Sequence, residues 1–166
     1  MTVRPILLWP DPKLRQVCAP VGPITPEIEK LSVDMFDTMY DAPGRGLAAP
    51  QIGEMIRMFV MDASWKDGKP DPQTFINPEL IEASDEMVSQ AEGCLSIPGI
   101  LTEISRPARI KVAWTGLTGM RYVQVFNGFA AACIQHEMDH LDGVVTFDRL
   151  SDAARDKAMK DYEVLQ

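Results

Sequence analysis

The segment His136-Glu137-Met138-Asp139-His140 constrains this chain more than any other part of its sequence, because it holds both of the chain's two histidines. Residues at positions i and i+4 lie on one face of an α-helix, about 6 Å apart along its axis. Two imidazoles at that spacing can bind one metal ion. The pattern therefore predicts a helix that carries a metal site, with Glu137 beside the open coordination position. The alternative is a pair of solvated or core histidines.

A third protein ligand has to be a cysteine or a carboxylate, because the chain has no other histidine. A catalytic site of this kind uses three protein ligands and leaves one position for water. Cys94 follows a glycine in a loop and is the best candidate, whereas Cys133 lies one helical turn before His136 and is interpreted as a packed apolar residue. A closed structural zinc site with Cys94, Cys133, His136 and His140 as ligands is the alternative. Cys18 has no neighbouring ligand pattern and is interpreted as structural.

Charge and apolar patterning exclude several classes of protein. The chain has 16 Lys plus Arg against 24 Asp plus Glu, a net charge of −8, which disfavours direct binding to nucleic acid. No apolar stretch approaches the roughly 20 residues that span a bilayer, and the run at 6–9 is too short for a secretory signal. Three scattered cysteines do not suggest a disulfide framework. We therefore expect a cytoplasmic protein with no membrane partner.

The pattern along the chain predicts one α+β domain over residues 1–166. Thr25 and Pro26 open a first helix, which Pro43-Gly44 ends. A central helix runs from an Asn127 cap to about Leu141, with Gly143 at the C′ position. We expect mixed or antiparallel sheets packed around that helix. The other expected elements are strands at 57–62, 74–82, 86–91, 109–115 and 121–126, a loop at 44–53, a short extended piece at 144–147, and a final helix from a Ser151 cap to about Glu163.

Three motifs occur in a fixed order: Gly-Arg-Gly-Leu-Ala-Ala-Pro-Gln at 44–51, Glu-Gly-Cys-Leu-Ser at 92–96, and Gln-His-Glu-Met-Asp-His-Leu-Asp-Gly at 135–143. With these motifs the chain resembles the peptide deformylase family over nearly its whole length. Any one of them alone would be moderate evidence, whereas the ordered set is specific.

The resemblance implies a hydrolase that removes the N-formyl group from the N-terminal methionine of newly synthesised proteins and releases formate. It also implies a cytoplasmic monomer with one Fe(II) ion per chain, in which zinc, nickel or cobalt can be loaded instead; the ligand types alone would indicate zinc. The partners implied are the formyl-Met N-termini of nascent polypeptides. Relatives often dock on the ribosome through a basic C-terminal helix. Residues 148–163 hold four basic and five acidic residues here, so we do not expect docking through this helix.

The resemblance also implies roles for individual residues. The family's oxyanion donors match the Gln51 side chain and the Leu95 backbone N–H, and its general base matches Glu137; for Gln51 the alternative is an amide that structures the loop. Glu92, Gln135 and Asp139 are candidates for orienting the ligands, or are ordinary polar residues. The metal ligands of the family match Cys94, His136 and His140.

Substrate-binding residues follow from the same resemblance. Gly44 and Gly46 lie beside the substrate backbone in the family. We predict an apolar pocket for the methionine side chain, and the alternative is that its residues only fill the core. The candidates for this pocket are Ile97, Leu101, Phe129 and Cys133. A metallo-endopeptidase is the competing enzyme class, because it shares the histidine motif.

Overall fold

Three α-helices and seven β-strands form the structure in the computed structural model, which describes residues 1–166. The helices are α1 (Pro26–Asp41), α2 (Gly128–Leu141) and α3 (Asp152–Val164). The strands are β1 (Gly46–Ala48), β2 (Met58–Met61), β3 (Gln73–Ala83), β4 (Met87–Cys94), β5 (Ile97–Pro107), β6 (Arg109–Thr115) and β7 (Arg121–Asn127).

The strands form two antiparallel sheets. The larger has five strands in the order β1-β2-β3-β6-β7, and the smaller is the β4-β5 hairpin. Helix α2 follows all the strands and packs against the large sheet. The predicted α+β fold is confirmed, with helices near both ends of the chain.

Strand β2 shows how the core is layered, because all four of its residues are buried. Successive side chains of a strand point to opposite faces. Met58 and Val60 belong to the apolar cluster that includes α1. Phe59 and Met61 belong to the cluster that includes α2. One helix therefore covers each face of the sheet, which explains why the strand is apolar without alternation.

The helix boundaries follow the expected local chemistry. Thr25 Oγ1 accepts a hydrogen bond from the Ile28 N–H at 3.4 Å, and Pro26 occupies the first turn of α1. The Ser151 hydroxyl caps α3 in the same way, with the Ala154 N–H as donor at 3.3 Å. Gly143 follows α2 at φ +73°, and a Cβ there would clash with the Arg15 carbonyl group. Asn127 precedes α2 as expected, but its side chain makes no capping hydrogen bond.

Several local expectations were wrong. Residues 44–53 are not only a loop, since β1 is followed by a 3₁₀ helix at Ala49–Ile52. The expected extended piece at 144–147 overlaps a 3₁₀ helix at Thr146–Arg149. The Asp148 side chain stabilises this turn by accepting a hydrogen bond from the Val145 N–H at 2.9 Å. Strand β5 was not predicted at all.

Helix α3 closes the structure against the β4-β5 hairpin. Its buried residues Ala158 and Tyr162 share an apolar cluster with Ile97 of β5 and Phe147. The Tyr162 hydroxyl also donates a hydrogen bond to the Trp9 carbonyl at 2.9 Å. No helix of the chain is both long enough and apolar enough to cross a membrane.

Candidate active site

Cys94, His136 and His140 come together as the sequence predicts. Cys94 is the last residue of β4, and the tight turn to β5 directs its side chain towards α2, which carries both histidines. One potential ligand atom from each residue lies within 4.8 Å of the other two. Cys94 Sγ is 3.4 Å from His140 Nε2, close to the ~3.5 Å expected between sulfur and nitrogen ligands of a tetrahedral ion. The three side chains therefore fit one divalent metal ion.

A hydrogen bond from outside the cluster orients only one of the two imidazoles, that of His136. His136 Nδ1 lies 3.0 Å from Glu92 Oε1, which leaves Nε2 of that ring for a metal ion. Nδ1 of the buried His140 has no hydrogen-bond partner in the chain. Burial, together with the neighbouring His136, lowers the pKa of His140 well below its ordinary value. A neutral imidazole is the form that binds a metal ion.

Arg106 anchors the carboxylate that holds His136. Its side chain is only 7% exposed and contacts Glu92 through Nε at 2.6 Å and Nη2 at 3.0 Å. Nη1 reaches Asp139 at 3.0 Å, and Arg149 contacts the same carboxylate at 2.7 Å. Burial alone would raise the pKa of Glu92, but the hydrogen bonds from His136 and Arg106 lower it below its ordinary value. Glu92 is therefore an ionised acceptor beside His136.

Glu137 is a buried carboxylic acid next to the cluster. Its Oε1 atom has no hydrogen-bond partner in the chain. Burial raises the pKa of Glu137 to about 7, and the neighbouring His136 opposes part of that shift. A Cβ on Gly46 would lie 2.6 Å from Glu137 Oε2 and 2.8 Å from Cys133 Sγ. The glycine is thus required for β1 to approach the acid, whose pKa suits it to exchange a proton near neutral pH.

The Gln51 side chain is held with its NH₂ group towards the cluster. Its Oε1 accepts a hydrogen bond from the Ala48 N–H at 2.9 Å, which fixes the orientation of the amide. Its Nε2 donates to Ser96 Oγ at 3.0 Å and lies 3.8 Å from Cys94 Sγ. A hydrogen-bond donor therefore lies beside the candidate metal ligand. The amide also structures the 3₁₀ turn, so the two interpretations of Gln51 are compatible.

A cleft of about 690 Å³ opens in front of this cluster. Phe129 and Leu101 are 44% and 75% exposed on its walls, so they are available to a ligand. Ile97 reaches the cleft but is 1% exposed and packs with the α3 cluster, as expected of a core residue. The cleft is lined by all of the sequence-predicted substrate-binding and catalytic residues: Gly44, Gly46, Gln51, Leu95, Ile97, Leu101, Phe129, Cys133 and Glu137.

The other two cysteines and Gln135 do not take part in the ligand cluster. Cys133 is buried, lies 3.9 Å from the Arg45 carbonyl oxygen, and is not among the three grouped ligand residues. Cys18 is buried in the core behind α2. Gln135 does not orient a ligand; its Nε2 donates to the Pro107 and Ala131 carbonyl groups at 3.1 Å, which ties α2 to β5.

Sequence reasoning did not identify every residue around the site. Arg106 was missed because nothing in its local pattern distinguishes a buried arginine from a solvated one. Ser96 lies within a recognised motif, and that was the only available signal for its contact with Gln51. Arg45 and Gln90 also line the cleft, although we expected its walls to be apolar.

Comparison with known proteins agrees with this geometry. The profile of the polypeptide deformylase family matches residues 3–156. The chain belongs to this family. It is 47% identical over 167 aligned positions to the peptide deformylase of Bradyrhizobium diazoefficiens, covering 98% of this chain and 96% of that protein.

Solved peptide deformylases share the whole fold. The crystal structure of the Legionella pneumophila peptide deformylase is 36% identical, with a TM-score of 0.93 over 99% of this chain and 95% of that one. The Ehrlichia chaffeensis peptide deformylase in complex with actinonin is also 36% identical, with a TM-score of 0.93 over 100% and 99%. The chain is a peptide deformylase: a metal-dependent hydrolase that removes the N-formyl group from the N-terminal methionine of newly synthesised proteins.

Proposed function

We propose that Cys94, His136 and His140 hold the catalytic metal ion of this deformylase, one ion per chain. The observation that carries the proposal is the convergence of one sulfur and two imidazole nitrogens within 4.8 Å, with Glu92 holding the far nitrogen of His136. We propose Fe(II) as the natural ion on the basis of the family resemblance. Thiolate and imidazole also suit zinc, and zinc, nickel or cobalt can be loaded instead.

Glu137 is the general base of the proposed mechanism. A bound divalent ion supplies Lewis acidity, which lowers the pKa of a coordinated water and polarises the formyl carbonyl group. Glu137 accepts a proton from the attacking water and delivers it to the departing amine. Support comes from its burial, its unpartnered Oε1 and its pKa of about 7, which lets the same carboxyl group take up and release a proton.

Gln51 and Leu95 stabilise the tetrahedral intermediate. Gln51 Nε2 and the Leu95 backbone N–H donate hydrogen bonds to the oxygen of the former formyl group. The fixed amide of Gln51 supports this assignment, because a preorganised donor needs no rearrangement when charge develops. Removing one such donor typically costs about 3–4 kcal/mol of transition-state stabilisation.

The formylated peptide binds as an added strand along β1. Strand β1 pairs only with β2, and the Arg45 carbonyl accepts a hydrogen bond from the Asp62 N–H at 2.9 Å. Because hydrogen-bonding direction alternates along a strand, the Gly46 N–H and C=O face the open edge. The formyl group then lies towards Gln51, and the peptide runs antiparallel to β1. Gly44 and Gly46 border its backbone.

The methionine side chain enters the cleft in this arrangement. Phe129 and Leu101 present exposed apolar surface there, and the buried Cys133 lies at the base of the cleft beside Gly46. Ile97, the first residue of β5, lies at the base of this pocket. Burial of the thioether chain against these residues supplies the selectivity for methionine at the first position.

We further propose a monomer that acts in the cytoplasm on formyl-Met N-termini of nascent polypeptides. One chain supplies every residue of the proposed site, so no second copy is required to complete it. The mixed charge of residues 148–163 gives no basic surface for a ribosome, and we propose no docking through α3. The net charge of −8 is consistent with no direct binding to nucleic acid.

Anaerobic purification, metal analysis and a formate-release assay test the proposal. We expect near one Fe(II) per chain and release of formate from formyl-Met-Ala-Ser, with no cleavage of internal peptide bonds. Internal cleavage without formate release would identify a metallo-endopeptidase instead.

Two cysteine variants separate the open site from a closed structural site. Cys94→Ala is expected to lose the metal, whereas Cys133→Ala keeps it. Loss of metal from Cys133→Ala would favour a site with four protein ligands. Cys18→Ala serves as a control for the general effect of removing a buried thiol.

A further inference from the structure

Arg45 is a fixed cation on the wall of the cleft that has no acidic partner. Its guanidinium group lies over the Phe129 ring, 4.8 Å from the ring centroid. Its Nε atom is buried and has no hydrogen-bond partner, and Arg45 forms none of the chain's ten ion pairs. Buried donors in proteins are normally paired. The Nε atom itself is out of a ligand's reach, but Arg45 is only half-buried and lines the cleft, so the part of its guanidinium group that faces the cleft is open to an acceptor on a ligand.

The acidic residues of the cleft do not fill that role. Glu92 is bonded to Arg106 and His136, and the Glu137 carboxylate lies against Gly46. Polar or cationic side chains instead share the cleft with Arg45, namely Gln90 and the exposed Lys66. Lys66 therefore adds a second cation to the cleft of a chain whose net charge is −8.

The direction of the bound peptide brings its third residue to this wall. This step rests on the proposed function, in which the peptide runs antiparallel to β1 with its formyl group towards Gln51. Its first residue then lies beside Gly46, and later residues pass Arg45 and Gly44. Side chains two residues apart in an extended strand share a face, roughly 6–7 Å apart. The third side chain therefore points to the same side as the methionine, towards the Phe129 ring over which the Arg45 guanidinium group lies.

We propose that Arg45 is a specificity residue that binds a carboxylate on the third residue of the formylated peptide. The planar guanidinium group can donate two parallel hydrogen bonds to a carboxylate, and its contact with the Phe129 ring holds it at the cleft. Gln90 is a neutral polar residue of the same cleft. The enzyme thus favours formyl-Met-X-Glu and formyl-Met-X-Asp termini over basic ones.

Peptide amides test this proposal, because amidation removes the terminal carboxylate. We expect kcat/KM for formyl-Met-Ala-Glu-amide to exceed that for formyl-Met-Ala-Gln-amide by about three- to tenfold, the net effect of an ordinary hydrogen bond at a partly exposed site. A third peptide, formyl-Met-Ala-Lys-amide, should have the lowest kcat/KM of the three. The Glu/Gln ratio of the wild-type enzyme should also fall as salt is added, a readout that requires no variant.

Variants separate Arg45 from the general charge of the cleft. Arg45→Met should bring the Glu/Gln ratio to about one, Arg45→Lys should retain part of it, and Lys66→Met should keep the wild-type ratio. Equal wild-type rates on the Glu and Gln peptides would overturn the proposal. So would an equal loss of the ratio in Lys66→Met, or a preference for Glu at the second position rather than the third. Failure to release formate from any formyl peptide would instead refute the proposed function.

Discussion

Nδ1 of His136 lies 3.0 Å from Oε1 of Glu92, so a carboxylate on β4 sets the orientation of a histidine on α2. Both side chains are about one-tenth exposed. Arg106 bonds the second oxygen of the same carboxylate. The candidate metal ligand is therefore held by an ion pair from the β4-β5 hairpin as well as by its own helix.

Replacing Glu92 with Gln is expected to weaken metal binding while leaving the three ligands in place. Loss of an orienting carboxylate typically costs 10- to 100-fold in metal affinity. Competition with a chelator measures the effect directly. Glu103→Gln, on the exposed side of β5, is the matched control and should bind metal as the wild type does. An unchanged affinity for Glu92→Gln would show that the hydrogen bond does not tune the site.

Arg106→Met is expected to destabilise the fold strongly, because it leaves Glu92 and Asp139 without their shared cation. Breaking a buried ion pair by removing one partner costs about 3–5 kcal/mol. Arg121 forms an ion pair with Glu79, but its side chain is 40% exposed, so Arg121→Met should cost less than about 1 kcal/mol. Urea denaturation of both variants measures the difference in the free energy of unfolding. Similar values for the two would contradict the structural role of the buried network.

Gly46→Ala is expected to impair turnover by displacing Glu137. The new methyl group would lie 2.6 Å from the carboxylate and 2.8 Å from Cys133 Sγ, so the acid has to move. Misplacement of a catalytic group by about 1 Å can cost roughly 100-fold in rate. Gly22→Ala is the control, because no atom lies within 4 Å of its added Cβ. Equal formate release by the two variants would show that a glycine at position 46 is not needed to position Glu137.

The parts of the site that rest on local chemistry were predictable from the sequence. His136 and His140 share a helix face because of their spacing alone, and Thr25 and Gly143 mark helix ends by their own conformational preferences. The identity of the third ligand was less accessible. Cys94 lies 42 positions before His136, so no helical spacing links the two; its place after a glycine made it the best candidate, and the family resemblance agreed with that choice.

The elements that were missed depend on contacts between distant residues. Strand β5 contains Pro98 and Gly99, which suggest a turn, and pairing with β4 is what makes it a strand. Arg106 continues the alternating buried face of Thr102 and Ile104 in β5, but its partners Glu92 and Asp139 come from two other elements, so the sequence around it does not reveal them. The pairing of these three side chains is set by tertiary packing and is not encoded in any local pattern.

Preference for methionine at the first position is expected to reflect the apolar walls of the cleft. Burying a methionine side chain contributes roughly 1.5–3 kcal/mol. Formyl-Met-Ala-Ser should therefore exceed formyl-Ala-Ala-Ser by about tenfold or more in kcat/KM. Phe129→Ala should reduce that ratio, whereas Val33→Ala, on the exposed side of α1, should leave it unchanged. Equal rates on the two peptides would mean that the cleft does not bind the methionine side chain.

The most direct test of the mechanism is a paired measurement on Glu137→Gln: metal stoichiometry and formate release from the same purified protein. Glutamine has nearly the same shape and can still hydrogen-bond a water, but it cannot accept a proton. We predict normal metal content and a loss of turnover of about 10²–10⁴-fold, the usual contribution of general acid–base catalysis. Near-normal formate release by a metal-replete variant would contradict the assignment of Glu137 as the base.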